Sequence, residues 1–129
     1  MKTTGLTVGD YVLVKPSMTL IKIAAVHQRK VGYYKIPNKL NWVRIDLLEP
    51  IYITPEILEM NGFELRDGFF YHMVDDNPHH YDFKLKNDSE GYILEYNTYH
   101  LIIRYVHRLQ RALRLHSLND LADNFKVED

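Results

Sequence analysis

The chain has 129 residues, 46% apolar, 12% aromatic and 26% charged, with a formal net charge of −1 and no cysteine. The missing cysteine excludes disulfides, thiolate zinc sites, iron–sulfur clusters and a cysteine nucleophile. The near-neutral balance argues against a basic nucleic-acid packaging protein, and ten Tyr with five Phe argue against disorder.

One domain over 1–129 is the default at this length, with a β-rich half over 7–53 and a helix–meander–helix half over 54–129. After Thr7-Val8-Gly9-Asp10, Tyr11–Lys15 reads as a buried strand and Pro16-Ser17 as a turn. Leu20–Val26 is apolar and rich in β-branched residues, a second strand; Val31–Ile36 is a third. Pro37-Asn38-Lys39 turns the chain into a fourth strand from Leu40 toward Leu48. Pro50 and Pro55 confine Ile51-Tyr52-Ile53 to a short edge piece. So many short strands in so few residues imply a bent antiparallel sheet or a small barrel of Src-homology-3 type.

Thr54 is a good N-cap, Pro55 fits the first helical position, Glu56 suits the positive helix end, and Gly62 suits the position after the last turn. A two-turn helix is expected between them. A three-stranded antiparallel meander follows, from Phe69–Val74, the alternation of Tyr81, Phe83 and Leu85, and that of Tyr92, Leu94 and Tyr96. Asp75-Asp76-Asn77-Pro78 and Asn87–Gly91 are its loops. A long amphipathic helix is expected to begin near Asn97-Thr98. Its apolar side is Ile102, Tyr105, Val106, Leu109, Ala112 and Leu113; its basic side is His100, Arg104, His107, Arg108, Arg111 and Arg114. Ser117-Leu118-Asn119-Asp120 resembles a capping box that starts a short terminal helix. The class is therefore α+β.

Ile51-Tyr-Ile-Thr-Pro-Glu-Ile-Leu-Glu-Met-Asn-Gly-Phe63 resembles a P-I-x-L-T-x-E-x-L-x-x-x-G-F stretch, and Arg104-Tyr-Val-His-Arg-Leu-Gln-Arg-Ala-Leu113 an x-Y-V-H-x-L-Q-x-x-x-x-A-L stretch. Together they resemble a family of small uncharacterised proteins of gut Bacteroidetes, often carried on prophages and mobile elements. The resemblance covers roughly the last 80 residues. It departs at Leu115-His-Ser-Leu-Asn-Asp120, where the family has an L-T-G-x-E-L ending. It implies a fold outline and a genetic setting, and no activity.

Charge is laid out in blocks. Residues 11–45 carry Lys15, Lys22, Arg29, Lys30, Lys35, Lys39 and Arg44 and no acid, whereas residues 46–97 carry twelve acids against three bases. These blocks either balance one another on the surface or make a binding face. A row of Arg104, Arg108, Arg111 and Arg114 is spaced to grip phosphates, and Tyr33, Tyr34 and Trp42 offer rings for stacking on bases. The candidate binding set is thus Arg104, Arg108, Arg111, Arg114, Lys22, Arg29, Lys30, Lys35, Lys39 and Trp42. The plainer reading of each is a solvated or salt-bridged face.

Motifs for catalysis are missing: no Gly-rich phosphate loop, no H-E-x-x-H and no G-x-S-x-G occurs, and Ser17, Ser89 and Ser117 fall at turns or caps. His79-His80 with Asp75, Asp76 and Asp82 are the best metal-ligand candidates, but neighbouring residues of a strand face opposite ways, so solvated histidines are the expectation. His107 is expected on the basic, exposed side of its helix. No run approaches the roughly 18–20 apolar residues of a bilayer span. The opening MKTTGLTVGD has no signal-peptide core, so the chain reads as cytoplasmic. The expectation is a non-enzymatic interaction protein of a mobile element, without metal or cofactor and with a protein partner. The alternative is a nucleic-acid-binding accessory protein using the basic block and the arginine row.

Overall fold

The computed structural model describes residues 6–72, 83–96 and 99–128. In chain order it contains β1 (Tyr11–Val14), β2 (Thr19–Lys22), β3 (Ala25–His27), β4 (Lys30–Ile36), β5 (Lys39–Arg44), a 3-10 turn (Ile45–Leu47), β6 (Leu48–Glu49), α1 (Pro55–Met60), β7 (Glu64–Arg66), β8 (Phe69–His72), β9 (Phe83–Asp88), β10 (Gly91–Tyr96), β11 (Tyr99–Ile103), α2 (Val106–Leu115) and α3 (Asn119–Asp123). The fold is α+β, with its strands in three antiparallel sheets. Two compact units form, Met1–Tyr52 with Tyr105–Phe125, and Ile53–Arg104 with Lys126–Asp129. The helices that close the chain thus belong with its first strands, not with the meander they follow.

The first unit holds two small sheets, β2-β1-β6 and β3-β4-β5. Sequence alone suggests one strand over Leu20–Val26; the structure breaks it at Ile23-Ala24. The Ile23 amide still bonds Asp10 O of the first sheet (2.8 Å), while the Ala24 amide bonds Gly32 O of the second (2.8 Å). One apolar run therefore serves both sheets, because each half finds its backbone partners on a different strand. The sheets bend around Leu6, Val12, Ile21, Ile23, Val31 and Leu48, with Val14, Tyr33, Val43 and Ile45 packed against them. The ladders do not close into a barrel, so of the two expected forms the bent-sheet one is found. The expected edge strand at 51–53 is reduced to one antiparallel bridge, Tyr52 to Tyr105, with their rings edge-on at 5.3 Å.

In this unit α2 buries Val106, Leu109, Ala112 and Leu113, and α3 buries Ala122. The expected capping box at Ser117 is absent. Ser117 instead adopts φ +63° just after α2. Its amide bonds Arg114 O (3.1 Å) and the Leu118 amide bonds Leu113 O (2.8 Å), a Schellman ending with serine where glycine is favoured.

The second unit carries α1 and a sheet ordered β11-β10-β9-β8-β7. α1 forms as its sequence dictates: Thr54 Oγ1 accepts from the Ile57 amide (3.2 Å), Pro55 opens the helix, and Gly62 ends it at φ +86°. Asn61, buried, ties the tail down: its Nδ2 donates to Ile57 O and Lys126 O, and its Oδ1 accepts from the Lys126 amide, each at 2.7 Å. The core holds Leu58, Phe63, Phe70, Phe83, Leu85, Tyr92, Leu94 and Ile103.

The meander has five strands where three were expected. β7 is added by a tight turn at Asp67-Gly68, both with positive φ, and β11 by residues expected to be helical. Phe69–His72 and Phe83–Asp88 pair as expected, while Met73, Val74, Tyr81 and the Asp75–Pro78 loop lie outside the described residues.

Candidate binding surfaces

Strand alternation sorts the basic block into two faces. Val31, Tyr33 and Val43 turn toward the core. Lys30, Gly32 and Tyr34 of β4, with Leu40, Trp42 and Arg44 of β5, turn the other way and pair as Lys30↔Arg44, Gly32↔Trp42 and Tyr34↔Leu40. Trp42 is 48% and Tyr34 59% exposed. Trp42 meets His27 of β3 edge-on at 6.3 Å, on the stretch of β4 where Gly32 offers no side chain. A Cβ at Gly32 would lie 3.0 Å from Leu40 Cδ1, so glycine is what lets Leu40 cover the strand. Lys30 directly opposite Arg44 is a like-charge pair that weakens the sheet. Arg44 is relieved by Asp46, whose Oδ1 accepts from its Nε at 3.0 Å.

Arg29 lies in the β3–β4 turn, Lys35 near the end of β4, and Lys39 at the start of β5. Among the described residues, Arg29, Lys30, Lys35 and Lys39 make no ion pair. Lys15 and Lys22 are spent locally: Lys15 pairs with Glu49 (2.9 Å), and Lys22 Nζ donates to Asp123 O (2.6 Å) and sits over the Tyr11 ring. Tyr33 faces the core and is not available with Tyr34 and Trp42.

A groove of about 630 Å³ opens beside Tyr34. Val8, Ile23 and Ala24 give it an apolar floor; Lys22 and Asp123 stand at its polar end.

The arginine row is not one face of a helix. α2 begins at Val106, so Arg104 precedes it and belongs to the second unit, where its Nε donates to Glu90 O (2.7 Å). Arg114 is only 17% exposed and bridges Asp10 (2.6 Å) and Asp123 (3.3 Å). Asp10 is fully buried; burial raises its pKa, against the opposing pull of the Arg114 guanidinium and the Thr7 amide. Of the row's members on α2, Arg108 and Arg111 are exposed. The basic face is shorter than expected because Tyr99–Ile103 pair as β11 and α2 buries His107.

His107, expected among exposed cations, is 5% exposed and stacks on Tyr105 at 5.9 Å. Burial, with Arg108 adding to it, lowers its pKa from 6.5 to about 4. Its Nδ1 has no hydrogen-bond partner among the described residues. Gln110 is the residue that sequence reasoning missed. It is fully buried, accepts from the Tyr11 amide (3.0 Å) and donates to Gly9 O (2.8 Å) and Ala122 O (2.9 Å). The Tyr-Val-His-x-Leu-Gln stretch is thus the docking face of α2.

Among the described residues no group of three or more His, Asp or Glu residues is placed to hold a metal ion; His79 and His80 lie outside them. No described helix is long and apolar enough to cross a membrane. No protein-family model, curated protein or solved structure matches the chain.

Proposed function

We propose that this is a non-enzymatic binding protein whose ligand is a polyanion, held on the outer face of the β3-β4-β5 sheet. One observation carries the reading: Lys30, Trp42 and Tyr34 share an exposed face, flanked by Arg29, Lys35 and Lys39, with no acid answering those four cations among the described residues. The exposed rings of Tyr34 and Trp42 and the opposed Lys30–Arg44 pair add little to the stability of the unit. Placed against a polyanion, the same groups neutralise charge and supply contact area. The setting on a prophage or mobile element rests on the family resemblance of the Tyr-Val-His helix and the Thr-led helix.

Retention on immobilised heparin across a salt gradient tests it. Lys30→Glu, Lys35→Glu and Lys39→Glu combined should release the protein at much lower salt than the unaltered chain. Arg108→Glu with Arg111→Glu should change elution less. Equal elution of all three proteins would refute the reading.

A further inference from the structure

We infer that the polyanion is a single-stranded nucleic acid and that the groove beside Tyr34 seats one of its unpaired bases. The inference rests on the binding face proposed above and names its ligand. At about 630 Å³ the groove falls within the range of small-ligand sites, roughly 300–1,000 Å³. Its lining is divided as a nucleotide is divided. Tyr34 supplies a flat π surface and Val8, Ile23 and Ala24 an apolar floor, while the polar end holds Lys22, bonded to Asp123 O, and Asp123, whose carboxylate is paired with Arg114. Tyr34 belongs both to this groove and to the outer face that carries Trp42. A strand whose base sits in the groove can therefore lay its backbone along an outer face that carries Lys30, with Lys35 and Lys39 toward the strand ends, none of the three in an ion pair among the described residues. Stacking on aromatic rings combined with a cationic track is how unpaired strands are held without sequence readout. A paired duplex keeps its bases stacked inside and offers the groove nothing.

An acidic peptide would satisfy the cations equally well, so the test separates bases from charge. Fluorescence anisotropy is measured at about 50 mM salt, which favours phosphate contacts. The probes are a labelled single-stranded oligonucleotide of about 12 nucleotides, the same sugar–phosphate chain lacking bases, and a duplex of matching charge. The single strand should bind about tenfold or more tighter than the abasic chain. Tyr34→Ala should erase that advantage while leaving abasic binding unchanged, and Tyr34→Phe should retain it. Tyr34 is exposed, so these variants are expected to fold. Equal binding of single strand, abasic chain and duplex would overturn this inference and leave the polyanion reading standing. So would heparin retention without oligonucleotide binding. Failure to bind heparin and every oligonucleotide would remove both.

Discussion

Gln110 shows how much one side chain can hold when backbone groups are buried around it. Its amide answers the Tyr11 amide and the Gly9 and Ala122 carbonyls, which belong to three different segments of the first unit. Gln110→Leu removes all three partners, and each orphaned buried group costs about 1–3 kcal/mol. Urea unfolding should show a loss of about 3 kcal/mol or more; a loss within error would mean those groups find other partners. The Tyr-Val-His-x-Leu-Gln stretch contains this residue, but periodicity did not single it out, because a glutamine on a helix is ordinarily solvated and its partners are distant in sequence. His107 was misplaced for a related reason: the buried arc of α2 is wider than its apolar stripe and takes in His107 and Gln110 as well. Its folded-state pKa of about 4 lies below the ordinary 6.5 of the unfolded chain. As pH falls below 6.5 the unfolded chain takes up the proton first, so stability is full above that value and drains toward pH 4. The full drain is on the order of 3 kcal/mol. Lys15, Asp46, Glu49, Tyr105 and Arg108 line the same groove as the imidazole and remain in a His107→Gln variant. That variant should therefore show a flatter stability profile between pH 6.5 and 4 than the unaltered protein, measured by unfolding at several pH values; parallel profiles would contradict the burial of the neutral ring.

At the level of elements, local signals succeeded and tertiary pairing overrode the rest. α1 was legible end to end because its cap, first-turn proline and terminal glycine all act within a few residues. The turn at Asp67-Gly68 was equally local, since Asp-Gly is a strong hairpin signal, and it went unread. β11 was not legible: the helical angle count continues smoothly through Tyr99–Ile103, but pairing of Leu101 with Leu94 and Ile103 with Tyr92 makes it a strand. From Val106 onward the expected apolar positions Val106, Leu109, Ala112 and Leu113 are buried. Leu109→Ala should cost about 2–5 kcal/mol, since Leu109 is fully buried, and exposed Arg108→Ala less than about 0.5 kcal/mol. Thermal and denaturant unfolding of the pair would check both, and similar losses would refute the burial assigned to α2. The end of α2 offers a gain. Ser117 holds φ +63°, a conformation costing an L-residue roughly 1–2 kcal/mol and glycine little. Ser117→Gly should raise the unfolding midpoint despite the greater freedom it gives the unfolded chain, and a lowered midpoint would show that the serine hydroxyl matters more than the backbone.

Across the whole molecule, what was legible was composition and class; what was not was partition. The α+β character and the β-rich start follow from alternation and turn chemistry. The sequence could not show that α2 and α3 join the first strands, because contacts such as Arg114 to Asp10 close over most of the chain. The same long-range closure decided the candidate surface. The basic block was visible as a run without acids, and Lys30 and Arg44 of it stand on the outward face of the second sheet. The arginine row is not one helix face, because Arg104 precedes α2 and Arg114 is claimed by Asp10 and Asp123. The central claim is that the outer face of β3-β4-β5 is where a polyanion binds. Amide and indole chemical-shift mapping during titration with a heparin-derived oligosaccharide tests it most directly. The account predicts shifts concentrated between His27 and Arg44, with the Trp42 indole N–H among the largest. Shifts gathered on α2 around Arg108 and Arg111, or no shifts in the sheet, would contradict it.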